Sequence, residues 1–135
     1  MRAKACFDTS VLVYTLSDDA LRAEIALRLL REGGFISVQV LNEFANVARK
    51  KLRMEWNEIE RALKAIREFC EPPISVSLAT HQVGVEIAQR YKYQIYDSLI
   101  IASAIEARCK TLYSEDMQDG QTIGSLTIRN PFLAI

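Results

Sequence analysis

Short apolar runs alternate with helical patterns along the chain, and this alternation restricts its fold more than any other feature. The short runs are bounded by polar or turn residues, as buried strands are. They cover residues 3–7, 35–38, 74–77 and 111–114, with a candidate edge strand at 126–128. Helical spacing covers residues 10–16, 20–32, 40–52, 56–70, 78–91 and 98–109. This order predicts an α/β domain in which helices flank a mostly parallel sheet of four to five short strands.

The size and composition fit one globular unit. A length of 135 residues predicts a single domain over residues 1–135. Half of the residues are apolar and a quarter are charged, which is typical of a chain with a core. The absence of a membrane-length apolar stretch and of a signal-peptide pattern predicts a cytoplasmic protein. Cys6, Cys70 and Cys109 are odd in number and far apart, so we expect reduced thiols, with Cys6 and Cys109 buried.

Acidic residues stand where predicted strands end and helices begin. Asp8 follows the first strand, Asp116 follows the fourth, and Asp97 stands at the start of the helix at 98–109. Ligand sites of open α/β sheets lie at the carboxyl ends of the strands, so we expect these three acids on one edge. Each acid alone also fits a helix cap or a solvated turn residue.

Glu43 joins this set through helical geometry. At about 100° per residue, Glu43 lies just outside the apolar stripe of its helix, next to Val47. From that border its side chain can point into a cleft, although it also fits a solvated boundary residue. Clustered carboxylates raise one another's pKa and favour a compensating cation. Oxygen ligands suit Mg²⁺ or Mn²⁺.

Basic residues cluster at one helix end, as Arg49, Lys50, Lys51 and Arg53. The formal net charge is zero, which does not favour a strongly basic nucleic-acid binder. The cluster fits either a solvated helix terminus, where cations are favourable, or a surface that contacts phosphates.

Other side chains have two interpretations. An aromatic set could stack on nucleic-acid bases or pack in a core or dimer. This set comprises Trp56, Tyr91, Tyr93 and Tyr96. No pattern places His81, the only histidine, beside the acids, so we expect it on a helix surface.

Four segments resemble the motifs of PIN-domain nucleases, in the same order. They are residues 7–14 (FDTSVLVY), 37–44 (SVQVLNEF), 96–102 (YDSLIIA) and 112–120 (LYSEDMQDG), and residues 126–132 (LTIRNPF) resemble the closing strand. Each motif is short, but four of them with this spacing across the whole chain are specific. The resemblance is to the VapC type in particular, the toxins of bacterial and archaeal toxin–antitoxin pairs.

This resemblance implies a three-layer PIN-like domain that hydrolyses RNA phosphodiesters with Mg²⁺ or Mn²⁺ and an activated water. It implies that one or two ions are held by Asp8, Glu43, Asp97 and Asp116. It implies that ligands or water are oriented by Thr9, Ser10 and Ser114. A homodimer and a cognate antitoxin protein are also implied. Ser10 stands where the family frequently has an asparagine. Asp119, in the last motif, fits either a ligand of a second ion or a residue of the turn before Gly120.

Two other functions compete with this interpretation. A phosphatase with a nucleophilic aspartate also begins with a strand and an Asp. It needs a second Asp two residues later, where this chain has Ser10. It also needs a lysine paired with late acids, and no lysine follows Lys110. A non-catalytic PIN-like module that binds or processes RNA is the non-enzymatic alternative. The intact set of four acids favours the enzyme.

Overall fold

The computed structural model describes residues 4–133, which form four strands and six helices. In chain order they are β1 (Ala5–Phe7), α1 (Thr9–Tyr14), α2 (Ala20–Glu32), α3 (Val38–Lys50), α4 (Trp56–Phe69), α5 (Leu78–Tyr91), α6 (Ile95–Glu106), β2 (Thr111–Tyr113), β3 (Thr122–Ile123) and β4 (Leu126–Arg129). Every predicted helix is present. Ala3, the predicted start of the first strand, lies outside the described residues.

The sheet has the order β1-β2-β4-β3. β1, β2 and β4 are parallel, and β3 pairs with β4 in the antiparallel direction. This confirms the predicted α/β class with a mostly parallel sheet. The register pairs Phe7 with Tyr113, and the Asp8 N–H donates to the Tyr113 carbonyl at 2.9 Å. Asp8 and Ser114 therefore leave the sheet side by side at its carboxyl edge.

Two predicted strands, at 35–38 and 74–77, were wrong as full strands. They form isolated parallel bridges, Cys6 with Phe35 and Ser37 with Ile74, which continue the layer beyond β1. The reason for the first is local. The Ser37 side chain accepts the Val40 N–H at 3.2 Å and caps α3, so the extended chain turns helical at once. Ser77 caps α5 in the same way.

The remaining differences are one short strand that was not predicted and small shifts at element ends. β3 was not predicted, because its two residues lie between Gly120 and Gly124 and the segment has the local pattern of a turn. Both glycines have positive φ. α6 begins at Ile95, three residues before the predicted start, so that Asp97 lies in its first turn.

Helix α6 is buried over most of its length. Seven consecutive residues, 98–104, are buried, which agrees with a helix that is apolar nearly all round. Cys6 and Cys109 are buried, as expected, and all three cysteines are free. No helix within residues 4–133 has both the length and the apolarity needed to cross a membrane.

Gly34 lies directly against β1, and we predict that Gly34→Ala destabilises the fold. A Cβ atom at this position would lie 2.7 Å from Phe7 Cε2 and 2.8 Å from the Ala5 carbonyl oxygen. The backbone oxygen cannot rotate away, because it accepts the Phe35 N–H at 2.8 Å. Overpacking of this kind costs about 1–3 kcal/mol, measurable as a lower urea midpoint. Gln89→Ala, on the exposed face of α5, is the control. A wild-type midpoint for Gly34→Ala would contradict this packing.

Candidate metal centre

Three carboxylates from distant parts of the sequence meet at the carboxyl edge of the sheet. Asp8, Glu43 and Asp97 each offer an oxygen, and these oxygens lie within 4.8 Å of one another. The first follows β1, the second lies on α3, and the third lies in the first turn of α6. The edge predicted from strand and helix ends is where these acids meet.

Two serines fix the orientation of Asp8, which is 2% exposed. The Ser10 and Ser114 hydroxyls donate to the same oxygen, Oδ2, at 2.9 and 2.8 Å. Ser10 Oγ accepts the Glu115 N–H, and Ser114 Oγ accepts N–H groups of the residues that follow it. Because each hydroxyl has one proton and is already an acceptor, that proton is directed to Asp8. The Thr9 backbone also hydrogen-bonds to the Asp8 carboxylate.

Glu43 is held by one donor on each carboxylate oxygen. Thr9 Oγ1 donates to Oε1 at 3.0 Å, and Gln39 Nε2, one turn earlier on α3, donates to Oε2 at 3.0 Å. Each oxygen keeps a lone pair that can bind a cation. Asp97 is held more loosely, by Gln94 Nε2 at 3.4 Å from Oδ2.

Asp116 is outside this cluster and is more exposed. It lines a cavity of about 550 Å³ together with the three clustered acids and Glu115. Asp119 does not line this cavity. Its Oδ1 accepts the Asn130 N–H at 2.7 Å, which fits the turn interpretation of this residue.

The acids perturb one another. Burial raises the pKa of Asp8, although the hydrogen bonds from Ser114 and Ser10 oppose the shift. Burial and the nearby charge of Asp8 raise the pKa of Asp97 to about 6. Burial, Asp8 and Glu115 raise the pKa of Asp116, while Lys51 lowers it. The site thus has negative charge that its own residues do not neutralise, and hard oxygen donors of this kind fit a divalent cation such as Mg²⁺ or Mn²⁺.

A clamp on Glu115 was not predicted from the sequence. The Tyr14 hydroxyl donates to Glu115 Oε1 at 2.6 Å, and Arg22 Nε lies 3.7 Å from Oε2. The Tyr14 ring also contacts Phe132, with 4.7 Å between ring centroids. Together these contacts hold the turn that carries Asp116. The position of Tyr14 at the end of the first motif was a usable signal for this clamp, but no sequence pattern marks Arg22.

The predicted basic cluster is only partly at the cavity. Lys51 lines it. Arg49 instead donates to the Met54 carbonyl at 3.0 Å and lies 5.6 Å from the centroid of the Trp56 ring. Lys50 and Arg53 are exposed outside the cavity lining.

The remaining candidates also have defined positions. Tyr96, which is 55% exposed, lies beside Gln94 near the acids. His81 is exposed on α5, as expected.

The sequence model of the PIN domain matches residues 5–118. The chain therefore belongs to the PIN-domain family. No curated protein matches it significantly.

Three solved structures share its fold. A toxin–antitoxin complex from Klebsiella pneumoniae matches with a TM-score of 0.73 and 23% identity, over 96% of this chain and 98% of that chain. VapC20 of Mycobacterium tuberculosis, a toxin that cleaves the sarcin–ricin loop, has a TM-score of 0.67 and 19% identity, over 84% and 90%. VapBC2 of Rickettsia felis, bound to a promoter DNA fragment, has a TM-score of 0.67 and 21% identity, over 93% and 97%. These similarities confirm the predicted PIN-like fold.

Burial of Asp97 and its repulsion by Asp8 predict that Asp97→Asn stabilises the metal-free protein at high pH. The pKa of Asp97 is about 6 in the folded state and about 3.9 in an unfolded chain. The folded state therefore binds this proton more tightly, and its stability falls as the pH rises through about 6. Asparagine has no charge and so removes this loss of unfolding free energy, which is on the order of 1 kcal/mol after allowance for solvent screening.

Urea unfolding in EDTA, at about pH 4 and about pH 8, measures this difference. We expect Asp97→Asn to gain stability relative to wild type only at the higher pH. The matched control is Asp18→Asn, an exposed residue outside the cluster, which should show no such gain. A variant that is no more stable than wild type at pH 8 would refute the combined penalty of burial and repulsion on the Asp97 carboxylate.

Proposed function

We propose that this chain is a ribonuclease that hydrolyses RNA phosphodiester bonds with Mg²⁺ or Mn²⁺. The observation that carries the proposal is the convergence of Asp8, Glu43 and Asp97, with one oxygen of each within 4.8 Å. A fold that gathers like charges, with several acids against the single cation Lys51 in the described cavity lining, is suited to bind a metal ion. Membership of the PIN-domain family supports the same activity.

The residues have separate roles in this proposal. The ion ligands are Asp8, Glu43 and Asp97, and Asp116, which lines the same cavity, completes the set on the same ion or on a second one. When bound, a divalent cation lowers the pKa of a bound water and stabilises charge on a phosphoryl oxygen. Ser10 and Ser114 keep Asp8 oriented, and Thr9 keeps Glu43 oriented. The hydroxyls thus act on the ligands and not on the substrate.

We propose further that the chain is the toxin of a type II toxin–antitoxin pair, a cytoplasmic homodimer whose protein antitoxin blocks the cleft. The support is the similarity in fold to chains from toxin–antitoxin complexes. The competing function is a non-catalytic PIN-like module that binds or processes RNA. The orientation of Asp8 by two serines favours the enzyme, because a binding module has no need of an ordered carboxylate cluster.

Asp8→Asn tests the function directly. We expect this variant to lose RNA cleavage and to stay folded, because asparagine keeps one acceptor oxygen for the two serine hydroxyls. Wild type should cleave single-stranded RNA with Mg²⁺ or Mn²⁺ and stop in excess EDTA. Metal should also raise the melting temperature of wild type, but much less that of Asp8→Asn.

The control for this test is Asp18→Asn, which changes an exposed acid outside the cluster. It should cleave RNA and bind metal like wild type. Cleavage by Asp8→Asn at the wild-type rate, in a preparation free of other nucleases, would refute the site. Absence of both metal binding and cleavage in wild type would favour the non-catalytic module.

For RNA binding we propose Lys51 as the main contact of the cluster formed by Arg49, Lys50, Lys51 and Arg53, because it lines the cavity. Lys51→Ala should weaken the binding of all RNA sequences. Loss of one phosphate contact should reduce the slope of log affinity against log salt by about 0.7 for single strands, with the cleavage position unchanged. Lys50→Ala, the exposed neighbour, is the matched control. Equal salt slopes for both variants and wild type would exclude the phosphate contact.

A further inference from the structure

A second groove adjoins the candidate metal centre. Its cavity of about 350 Å³ shares Glu43 and Gln94 with the larger cavity. The other walls are Gln39, Asn42 and Asn46 from α3, and Tyr96 from α6. The three α3 residues are three and four positions apart and so lie on one face of the helix. We call this surface, formed by Gln39, Asn42, Asn46, Gln94 and Tyr96, the amide groove.

The amide groove is chemically unlike the metal centre. Apart from Glu43 on the shared wall, the part of its lining that the structure describes is uncharged. Each of its four amide side chains offers an NH₂ donor group and an acceptor oxygen. Gln39 and Gln94 use their amide nitrogens on Glu43 and Asp97. Asn42 and Asn46 are exposed, and neither side chain hydrogen-bonds to another residue in the described range 4–133. Tyr96 leaves 55% of its surface exposed beside them.

We propose that the amide groove binds an unpaired RNA base next to the cleaved phosphodiester, stacked on Tyr96 and read by Asn42 and Asn46. This inference rests on the proposed ribonuclease function. A phosphate does not fit the groove, because no cation from residues 4–133 lines it and Glu43 borders it. A base does fit, because it has a π face for stacking and an edge of neutral donors and acceptors for amides. Sequence-specific recognition of RNA acts mainly on such unpaired bases.

The shared wall explains how one substrate reaches both sites. Glu43 faces the metal centre with its carboxylate and also borders the amide groove. A strand whose phosphate lies at the carboxylates can therefore place a neighbouring base in the groove without a change in the fold. The acids would act on the backbone, which all RNAs share, while the asparagines select the sequence.

Cleavage of a single-stranded RNA library, randomised around one bond, tests this inference. Wild type should show a base preference at one position beside the cleaved bond. The double variant Asn42→Ala, Asn46→Ala should reduce this preference about tenfold, as expected for loss of a specific base contact. Alanine suits an exposed helix position, so the variant should fold. Asn57→Ala, an exposed asparagine on α4, is the matched control and should keep the wild-type preference.

Stacking is tested separately from reading. Tyr96→Ala should weaken binding of all sequences about tenfold, whereas Tyr96→Phe should keep it, because stacking needs only the ring. An RNA with an abasic site at the preferred position should abolish the difference between wild type and the asparagine variant.

The outcomes separate this inference from the function on which it rests. Cleavage by the asparagine variant with an unchanged base preference would overturn the inference and leave the ribonuclease intact. A wild type that neither cleaves nor binds RNA would overturn both. RNA affinity is also measured in Asp8→Asn, so that base preference is read without cleavage. If the groove substitutions convert a dimer into a monomer with no change in preference, a second copy covers the groove and the inference is wrong.

Discussion

The candidate site depends on one carboxylate oxygen that two serines share. Asp8 Oδ2 accepts the hydroxyls of Ser10 and Ser114, which lie on α1 and on the turn after β2. These bonds join the end of β1 to α1, which follows β1, and to the turn that follows β2. Both segments leave the sheet at the same edge. Since both serines also accept backbone N–H groups from residues after β2, the turn that carries Asp116 is tied to the same oxygen. The geometry of the acids is thereby set by backbone structure, before any ligand binds.

The rigidity of this arrangement maintains a repulsion that a looser fold would relieve. Asp97 lies in the first turn of α6, and the next seven residues are buried, so its backbone cannot move away without disturbing the core. Asp8 is itself almost fully buried. The acids consequently keep raised pKa values. In the proposed enzyme, the rigid arrangement that maintains this repulsion also keeps the carboxylates in place for a cation. The metal-free fold is less stable as a result, and its affinity for the cation is higher.

Residue positions could be predicted from the sequence where the local pattern determines the three-dimensional position. Asp8 and Asp97 were located because parallel strands and helices end at a common edge, and Glu43 because its place on a helix follows from its spacing. Residue positions could not be predicted where contacts between distant segments determine them. The contact of Arg22 with Glu115 depends on how α2 packs against the turn after β2. The segments at 35–38 and 74–77 have strand-like composition, but the caps of α3 and α5 leave them only isolated bridges, at Phe35, Ser37 and Ile74. The Gln39–Glu43 pair was predictable from its four-residue spacing.

The distribution of charge around the site has a consequence for recognition. The formal net charge is zero, so no general field attracts a polyanion to the chain. Lys51 contributes positive charge at the cavity lining, and the amide groove adjoins the site on a face whose own side chains, apart from Glu43, are neutral. Binding of RNA by such a surface would depend on short-range contacts that form only when strand and site fit. Weak general attraction combined with an ordered site favours selectivity over affinity, because wrong sequences gain little from charge alone.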